Sequence, residues 1–310
     1  MSRESFVFKG ANGQDVFTWR WSAPGEPRGV LQVIHGMMEH AGRYSEFAEY
    51  LNGRGFEVYA CDLRGHGRTG DTNGNLCHLD KDGFNGIVED QKMLSDLIAG
   101  KRPGVPLFIL GHSFGSFVLQ EYMKRYGNDV SGVILSGSCK MDGPEVRAGL
   151  AVAGLSLPFG WRRPNKLISR LSFGGYNKRI EKPESKYSWL SRDCAQVRKY
   201  DDDRFCGIIM STGFYYCFFK GLTGLYRRTG AGGINVKLPV AIMSGTCDPV
   251  GKYGKGVKRL YEWYRSIGVQ DVLLKLYEGA RHEIINETNR QEVYNDIASW
   301  MEERIGADRQ

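Results

Sequence analysis

A chain of 310 residues, 41% hydrophobic and 25% charged, can bury one large core, or one core with a sizeable insertion. No window approaches the ~18 uninterrupted apolar residues of a membrane span, and the opening MSRESFVFKG lacks a secretory apolar run, so a cytoplasmic protein is expected. The formal charge of +7 is uneven: residues 140–238 hold 18 Lys and Arg against 8 Asp and Glu, without the dense patch or module that nucleic-acid binding requires.

Two β-rich stretches, Ser5–Phe8 and Val16–Trp21, open the chain around the turn-like Ala11-Asn-Gly-Gln14. Apolar runs follow that read as buried parallel strands: Val30–Ile34, Glu57–Cys61, Leu107–Leu110, Val133–Leu135, Val240–Met243 and Val272–Tyr277. Helical spacing lies between and after them, at Tyr44–Leu51, Phe114–Tyr126 and Val293–Met301. Strands alternating with helices point to an α/β fold with a mostly parallel sheet. The alternation stops between residues 140 and 237. That stretch holds an apolar segment (Leu150–Phe159), a basic, loop-like region (Trp161–Lys186) and an aromatic run (Phe214–Phe219). A structureless loop of that length is improbable. The expected organisation is a core of residues 1–139 and 238–310 with a helical cap, 140–237, inserted between two strands.

Gly111-His112-Ser113-Phe114-Gly115 fits G-x-S-x-G between a buried-strand run and a helical segment. A sharp strand-to-helix turn strains the central residue, and side chains two positions either side would clash, hence the paired glycines Gly111 and Gly115. Ser113 then projects from a helix tip, where the Phe114 N–H is free for a developing oxyanion. A serine hydroxyl needs a base and an orienting acid, which on this architecture follow it in the order acid, then histidine. Of six histidines only His282 lies downstream, in a short Gly-Ala-Arg loop suited to a mobile base. The acid is Asp248, just past Val240–Met243 and stiffened by Pro249. The loop after the third strand, His35-Gly-Met-Met-Glu-His40, supplies a second oxyanion donor: Gly36 permits close approach and the Met37 N–H donates.

Other motifs fail on context. Gly65-His-Gly-Arg-Thr-Gly70 fits G-x-G-x-x-G, but the following Asp-Thr-Asn-Gly-Asn is a poor helix start for a dinucleotide site. His282-Glu-Ile-Ile-Asn286 lacks the second zincin histidine, and Gly245–Tyr253 is one residue too long for a P-loop. Asn286-Glu-Thr288 is a sequon that a cytoplasmic chain never exposes to glycosylation. No metal or cofactor is expected. The seven cysteines, odd in number and without a C-x-x-C pair, read as free thiols.

In order along the chain, His35-Gly-Met-Met-Glu-His-Ala-Gly-Arg-Tyr44, Asp62-Leu-Arg-Gly-His-Gly67, Gly111–Gly115, Asp248-Pro-Val250 and Gly279-Ala-Arg-His-Glu283 resemble the α/β-hydrolases that contain monoacylglycerol lipases and bacterial lysophospholipases, often labelled serine aminopeptidase-like. The resemblance covers most of 25–139 and 238–305 and is weaker around Trp189–Asp193. It implies a Ser113–Asp248–His282 triad with Met37 and Phe114 as oxyanion donors. It also implies cofactor-free hydrolysis of carboxylic esters of the monoacylglycerol or lysophospholipid kind through an acyl-enzyme. The family commonly carries Gly where Met38 stands. Peptidase activity on the same scaffold and a catalytically silent binding module are the alternatives. The apolar and aromatic parts of the cap suit an acyl pocket, a peripheral contact with lipid, or simply the cap's own core. The basic residues Arg162, Arg163, Lys178 and Arg179 suit an anionic interface or plain solvation. Oligomeric state is left open.

Overall fold

In the computed structural model, which describes residues 2–227 and 233–307, eight strands form one sheet. They are β1 (Ser2–Lys9), β2 (Asp15–Ser22), β3 (Gly29–Ile34), β4 (Phe56–Cys61), β5 (Leu107–His112), β6 (Gly132–Ser136), β7 (Val240–Gly245) and β8 (Val272–Tyr277). Their order is β1-β2-β4-β3-β5-β6-β7-β8. The β1–β2 hairpin and the β2–β4 pair are antiparallel, and every pairing from β4 to β8 is parallel. Strands β3 to β7 are buried along their whole length. Sequestration on both faces is why they read as unbroken apolar runs rather than as alternating ones.

The helices are α1 (Ser45–Gly53), α2 (Gly67–Thr72), α3 (Gly83–Lys101), α4 (Phe114–Tyr126), α5 (Pro144–Ser156), α6 (Lys166–Phe173), α7 (Cys194–Asp202), α8 (Thr212–Leu225), α9 (Lys255–Ser266) and α10 (Arg290–Ala307). Leu31, Val33, Phe108 and Leu110 face α1 and α10 through Phe47, Leu51, Val293 and Ile297. Val30, Ile34, Ile109 and Val133 face α3, α4 and α9. Each large apolar side chain sealed in these layers contributes about 1.5–3 kcal/mol by leaving water.

Between β6 and β7 the described residues form four helices, α5 to α8, and no strand. Side-chain caps start three of them: Asn165 accepts from Ile168 N, Asp193 from Ala195 N and Gln196 N, and Ser211 from Phe214 N. The region read as basic loop therefore contains α6, and the aromatic run lies inside α8. Gly149 lets α5 approach α8, since a Cβ there would lie 2.5 Å from the Phe219 ring. Residues 1, 228–232 and 308–310 of the expected core and insertion fall outside the described residues.

Two readings need correction. Helix α3, 19 residues long, was not singled out; its three glycines weaken the helical signal, and packing of Ile87, Leu94 and Ile98 overrides that. The Gly65–Gly70 motif does open a helix, α2, though only a six-residue one. Its N-terminus is already occupied: Asp62 Oδ2 accepts from Arg68 N at 2.7 Å, and a Cβ on Gly67 would lie 2.2 Å from that oxygen. The chain's own carboxylate takes the place where a dinucleotide phosphate would sit.

Candidate active site

Strand β5 runs straight into α4 through Ser113, whose backbone is held at φ 51, ψ −116. A non-glycine residue stays there only if its surroundings over-determine it. Ser113 N donates to Ser136 O at 2.9 Å, tying the turn to β6. The flanking glycines are sterically required. A Cβ on Gly111 would lie 2.6 Å from Gly115 O, and one on Gly115 2.1 Å from Ile34 O.

Asp248 lies in the turn after β7, fully buried. Its Oδ1 accepts from Val250 N (2.8 Å), while Oδ2 accepts from Ser244 Oγ (3.1 Å) and faces His282 Nδ1 at 3.0 Å. That carboxylate fixes the Nδ1–H tautomer and leaves Nε2 as the basic nitrogen. Burial of the His282 ring opposes the imidazolium, but the charge and hydrogen bond of Asp248 outweigh it and raise the pKa above the ordinary 6.5. The Ser113 hydroxyl is not hydrogen-bonded to this ring; both residues line one cavity. Such nucleophile–base contacts are often long in ligand-free sites and tighten on binding.

The loop carrying His282 packs against the inserted segment, with Glu283 N donating to Leu190 O at 2.8 Å and His282 N to Trp189 O at 3.4 Å. The His282 ring lies 4.7 Å from His112 and 5.1 Å from Trp189.

Gly36 brings the β3 loop against the serine: a Cβ there would lie 3.3 Å from Ser113 Cβ and 2.8 Å from Glu39 Oε1. Met38 has φ 62, in the left-handed region that favours glycine; its carbonyl accepts from Tyr200 OH (2.8 Å) and Gly207 N (3.0 Å). Beneath the loop lies a buried ion network that sequence reasoning missed. Glu39 accepts from Gly36 N (2.6 Å), Tyr44 OH (3.0 Å) and Arg43 Nη1 (2.7 Å). Arg43 also grips both oxygens of Glu283 at 2.6 and 2.7 Å. The Glu39–Arg43 spacing of four was a visible signal; the Glu283 partner, 240 residues on, was not.

Ser113 and His282 open into a cavity of about 370 Å³. Its wall is largely apolar, with Phe114, Val152, Ile168, Tyr215 and Phe219 on it, and also carries Glu39, Glu145 and Glu283. Three metal-ligating side chains, His40, Asp203 and Cys206, place their ligand atoms within 4.8 Å of one another. They form a clasp instead. His40 Nδ1 accepts from Gly42 N, so Nε2–H donates to Asp203 Oδ2 at 2.9 Å, which uses up the nitrogen that a metal would need.

Three comparisons bear on this geometry. Residues 25–289 match the family described as serine aminopeptidase, S33. A monoacylglycerol lipase of Mycolicibacterium smegmatis is 29% identical over 97% of this chain and 97% of its own, and a monoglyceride lipase of Mus musculus is 30% identical over 96% and 90%. The crystal structure of a thermostable carboxyl esterase from Bacillus coagulans in complex with glycerol superposes with a TM-score of 0.88 at 31% identity, covering 98% of this chain and 99% of that one. With the family's profile spanning most of its length, and the sheet order, elbow and inserted helices described above, the chain belongs to the serine aminopeptidase S33 family of α/β-hydrolases.

Proposed function

We propose that the protein is a serine carboxylic-ester hydrolase acting on monoacylglycerol. The sequestered Asp248–His282 pair, opening on the same apolar cavity as a strained serine at a helix tip, carries this reading. Ser113 Oγ attacks the ester carbonyl as His282 Nε2 takes its proton. The oxyanion is met by the amides of Met37 and Phe114, each contributing about 3 kcal/mol to the transition state. Collapse expels the alcohol, which leaves with the proton from His282. Water, deprotonated by the same nitrogen, then attacks the acyl-Ser113 ester and releases the fatty acid.

The wall of the cavity favours an uncharged head group. Glu39 and Glu283 line it and share a single cation, Arg43, so that group keeps a net negative charge; Glu145 is paired with Lys252, and among the described lining residues there is no Lys or Arg. A glycerol head group meets hydrogen-bond acceptors there; a phosphate would meet like charge. Inserted helices α5 to α8 act as a cap over the acyl end. In this segment Leu155, Phe159 and Leu167 are 58–76% exposed, Leu171 reaches from the surface to the cavity wall, and Arg162, Arg163, Lys166 and Arg170 are exposed close by in the chain. An apolar patch rimmed by cations supports peripheral contact with an anionic lipid surface. No helix among the described residues is long and apolar enough to cross a membrane.

The test is turnover of p-nitrophenyl esters from acetyl to palmitoyl, beside monoacylglycerol and lysophosphatidylcholine, by the parent and Ser113→Ala. Monoacylglycerol should be the better lipid substrate, and the variant silent. An active Ser113→Ala overturns the mechanism; faster lysophosphatidylcholine turnover overturns the head-group assignment.

A further inference from the structure

Glu287 lies five residues beyond His282, at the end of a short turn over Ile284–Asn286, and is completely buried. Neither the nucleophile, the base nor the acid touches it, yet both of its oxygens are fully used. Oε1 accepts from Arg192 N (2.9 Å) and Arg281 N (2.8 Å). Oε2 accepts from Arg192 Nε (2.8 Å), Thr288 N (2.9 Å) and, at 3.4 Å, Thr288 Oγ1. Arg192 belongs to the inserted segment just before α7; Arg281 is the residue before His282. One carboxylate oxygen is thus the meeting point of the insertion and the base-bearing loop.

Neighbouring contacts run the same way. Arg281 reaches into the insertion with Nη1, which donates to Ser188 O (2.7 Å) and Ser191 O (2.9 Å). Ser191 Oγ donates back to Asn286 O at 2.8 Å. Gly279 makes the room for this arrangement: it sits at φ 70, and a Cβ there would lie 2.7 Å from Arg192 Nη1. The Arg192 side of this salt bridge is a third exposed and partly screened by water, while Glu287 is sealed. What distinguishes this one is that its carboxylate also holds the amide next to the base, so breaking it leaves buried N–H donors unpaired beside His282.

We propose that Glu287 is a positioning residue: by holding Arg192 and the Arg281 amide on one carboxylate, it makes the seat of the His282 imidazole depend on the placement of residues 188–193. The proposal rests on His282 being the general base. The insertion then does more than enclose the acyl chain. Segment 188–193 holds the base loop, and a shift of that segment shifts the imidazole relative to Ser113.

Glu287→Gln keeps the shape, but whichever way the amide is turned, its NH2 faces two N–H donors, so two of the four N–H···O bonds are lost. Arg192→Ala removes the guanidinium from a partly exposed side chain remote from the reacting atoms. With p-nitrophenyl butyrate, whose acyl chain is too short to depend on the cap, Glu287→Gln should lower kcat about 100-fold and Arg192→Ala about tenfold, the scale expected of a slightly misplaced catalytic group. KM should stay within about twofold, because the ester itself meets neither residue. The double variant should match Glu287→Gln alone, since the two act as a unit. Circular dichroism melting confirms that each variant is folded, and if Glu287→Gln is not, Arg192→Ala and Arg192→Lys decide. A folded variant with parental kcat, a change confined to KM, or losses that multiply in the double variant overturns the proposal. His282→Ala separates the two levels. Parental activity in His282→Ala sinks the assignment of the base itself, whereas an inactive His282→Ala beside parental Glu287→Gln and Arg192→Ala sinks only the positioning role.

Discussion

Asp248 and His282 face each other across a 3.0 Å hydrogen bond where neither residue is more than 2% exposed. Burial alone would depress the imidazole pKa; the carboxylate reverses the sign and lifts it. On the proposed mechanism the base must be neutral to accept the Ser113 proton, so kcat/KM should rise with pH through a midpoint above 6.5. Asp248→Asn removes the charge and leaves the burial. Its midpoint should fall below that of the parent while kcat drops about 10⁴-fold, the size of effect seen when an orienting carboxylate is lost. A pH–rate profile with p-nitrophenyl butyrate measures both, and an unmoved midpoint would contradict the electrostatic account.

Three other buried histidines behave in the opposite way. Burial pushes His35 and His66 down to about 3, and burial reinforced by His282 pushes His112 down to about 4. Below pH 6.5 the unfolded chain binds protons at these positions that the folded chain refuses, so they destabilise the fold progressively from 6.5 toward 4. His282, raised, adds stability that is fully present below 6.5 and is lost as pH rises through its folded value. Three groups against one gives a net loss on acidification. Urea midpoints should fall between pH 6.5 and 4; a flat profile would count against the buried neutral rings.

At Gly115 the obstacle to a side chain is backbone, the carbonyl of Ile34 at 2.1 Å, which cannot swing aside. Gly115→Ala should therefore cost about 3 kcal/mol and displace the loop bearing Met37. Gly100→Ala, in α3 with open space around it, should instead be neutral or stabilise by about 0.5–1 kcal/mol. Denaturant melts of the pair test the contrast.

Arg43→Ala leaves two buried carboxylates, Glu39 and Glu283, without their cation. Stranding buried charge costs about 3–5 kcal/mol, so this change should be among the most destabilising in the protein. Arg125, which meets Glu89 and Glu121 on the surface, should lose under about 1 kcal/mol on the same substitution. Equal losses in chemical denaturation would show that burial is not what sets the difference.

Leu155 and Phe159 stand on the outer side of the inserted helices, away from the cavity wall. Leu155→Ser with Phe159→Ser should abolish co-sedimentation with phosphatidylglycerol vesicles while leaving turnover of soluble p-nitrophenyl butyrate within about twofold, because apolar insertion and not catalysis has been removed. Undiminished vesicle binding would locate the lipid contact elsewhere.

What could be read from the amino-acid order follows from how local each constraint is. Ser113 between Gly111 and Gly115 is a turn whose steric demands involve five consecutive residues, and the strand and helix beside it are equally local. Asp248 and His282 were reachable because the fold orders them along the chain. The Asp248–His282 hydrogen bond spans 34 residues, and topology predicts that pairing where spacing does not. The inserted region was harder, since caps such as Asn165 and Asp193 open helices of only eight and nine residues, in which an apolar period spans barely two turns. Arg43–Glu283 and Arg192–Glu287 join residues 240 and 95 apart through side chains common on any surface, so nothing in the linear order marks them as buried.

Strands β6 and β7 are parallel neighbours, so the chain leaves for its helical excursion past Ser136 and crosses back over the sheet to re-enter at Val240, beside Val133. Because the β6–β7 pairing itself fixes both ends, evolution or a protein engineer can lengthen, shorten or transplant the excursion without disturbing register. The graft carries one obligation. A foreign module lacking a counterpart for Arg192 would deliver a new acyl pocket and leave Glu287 beneath it without its guanidinium partner.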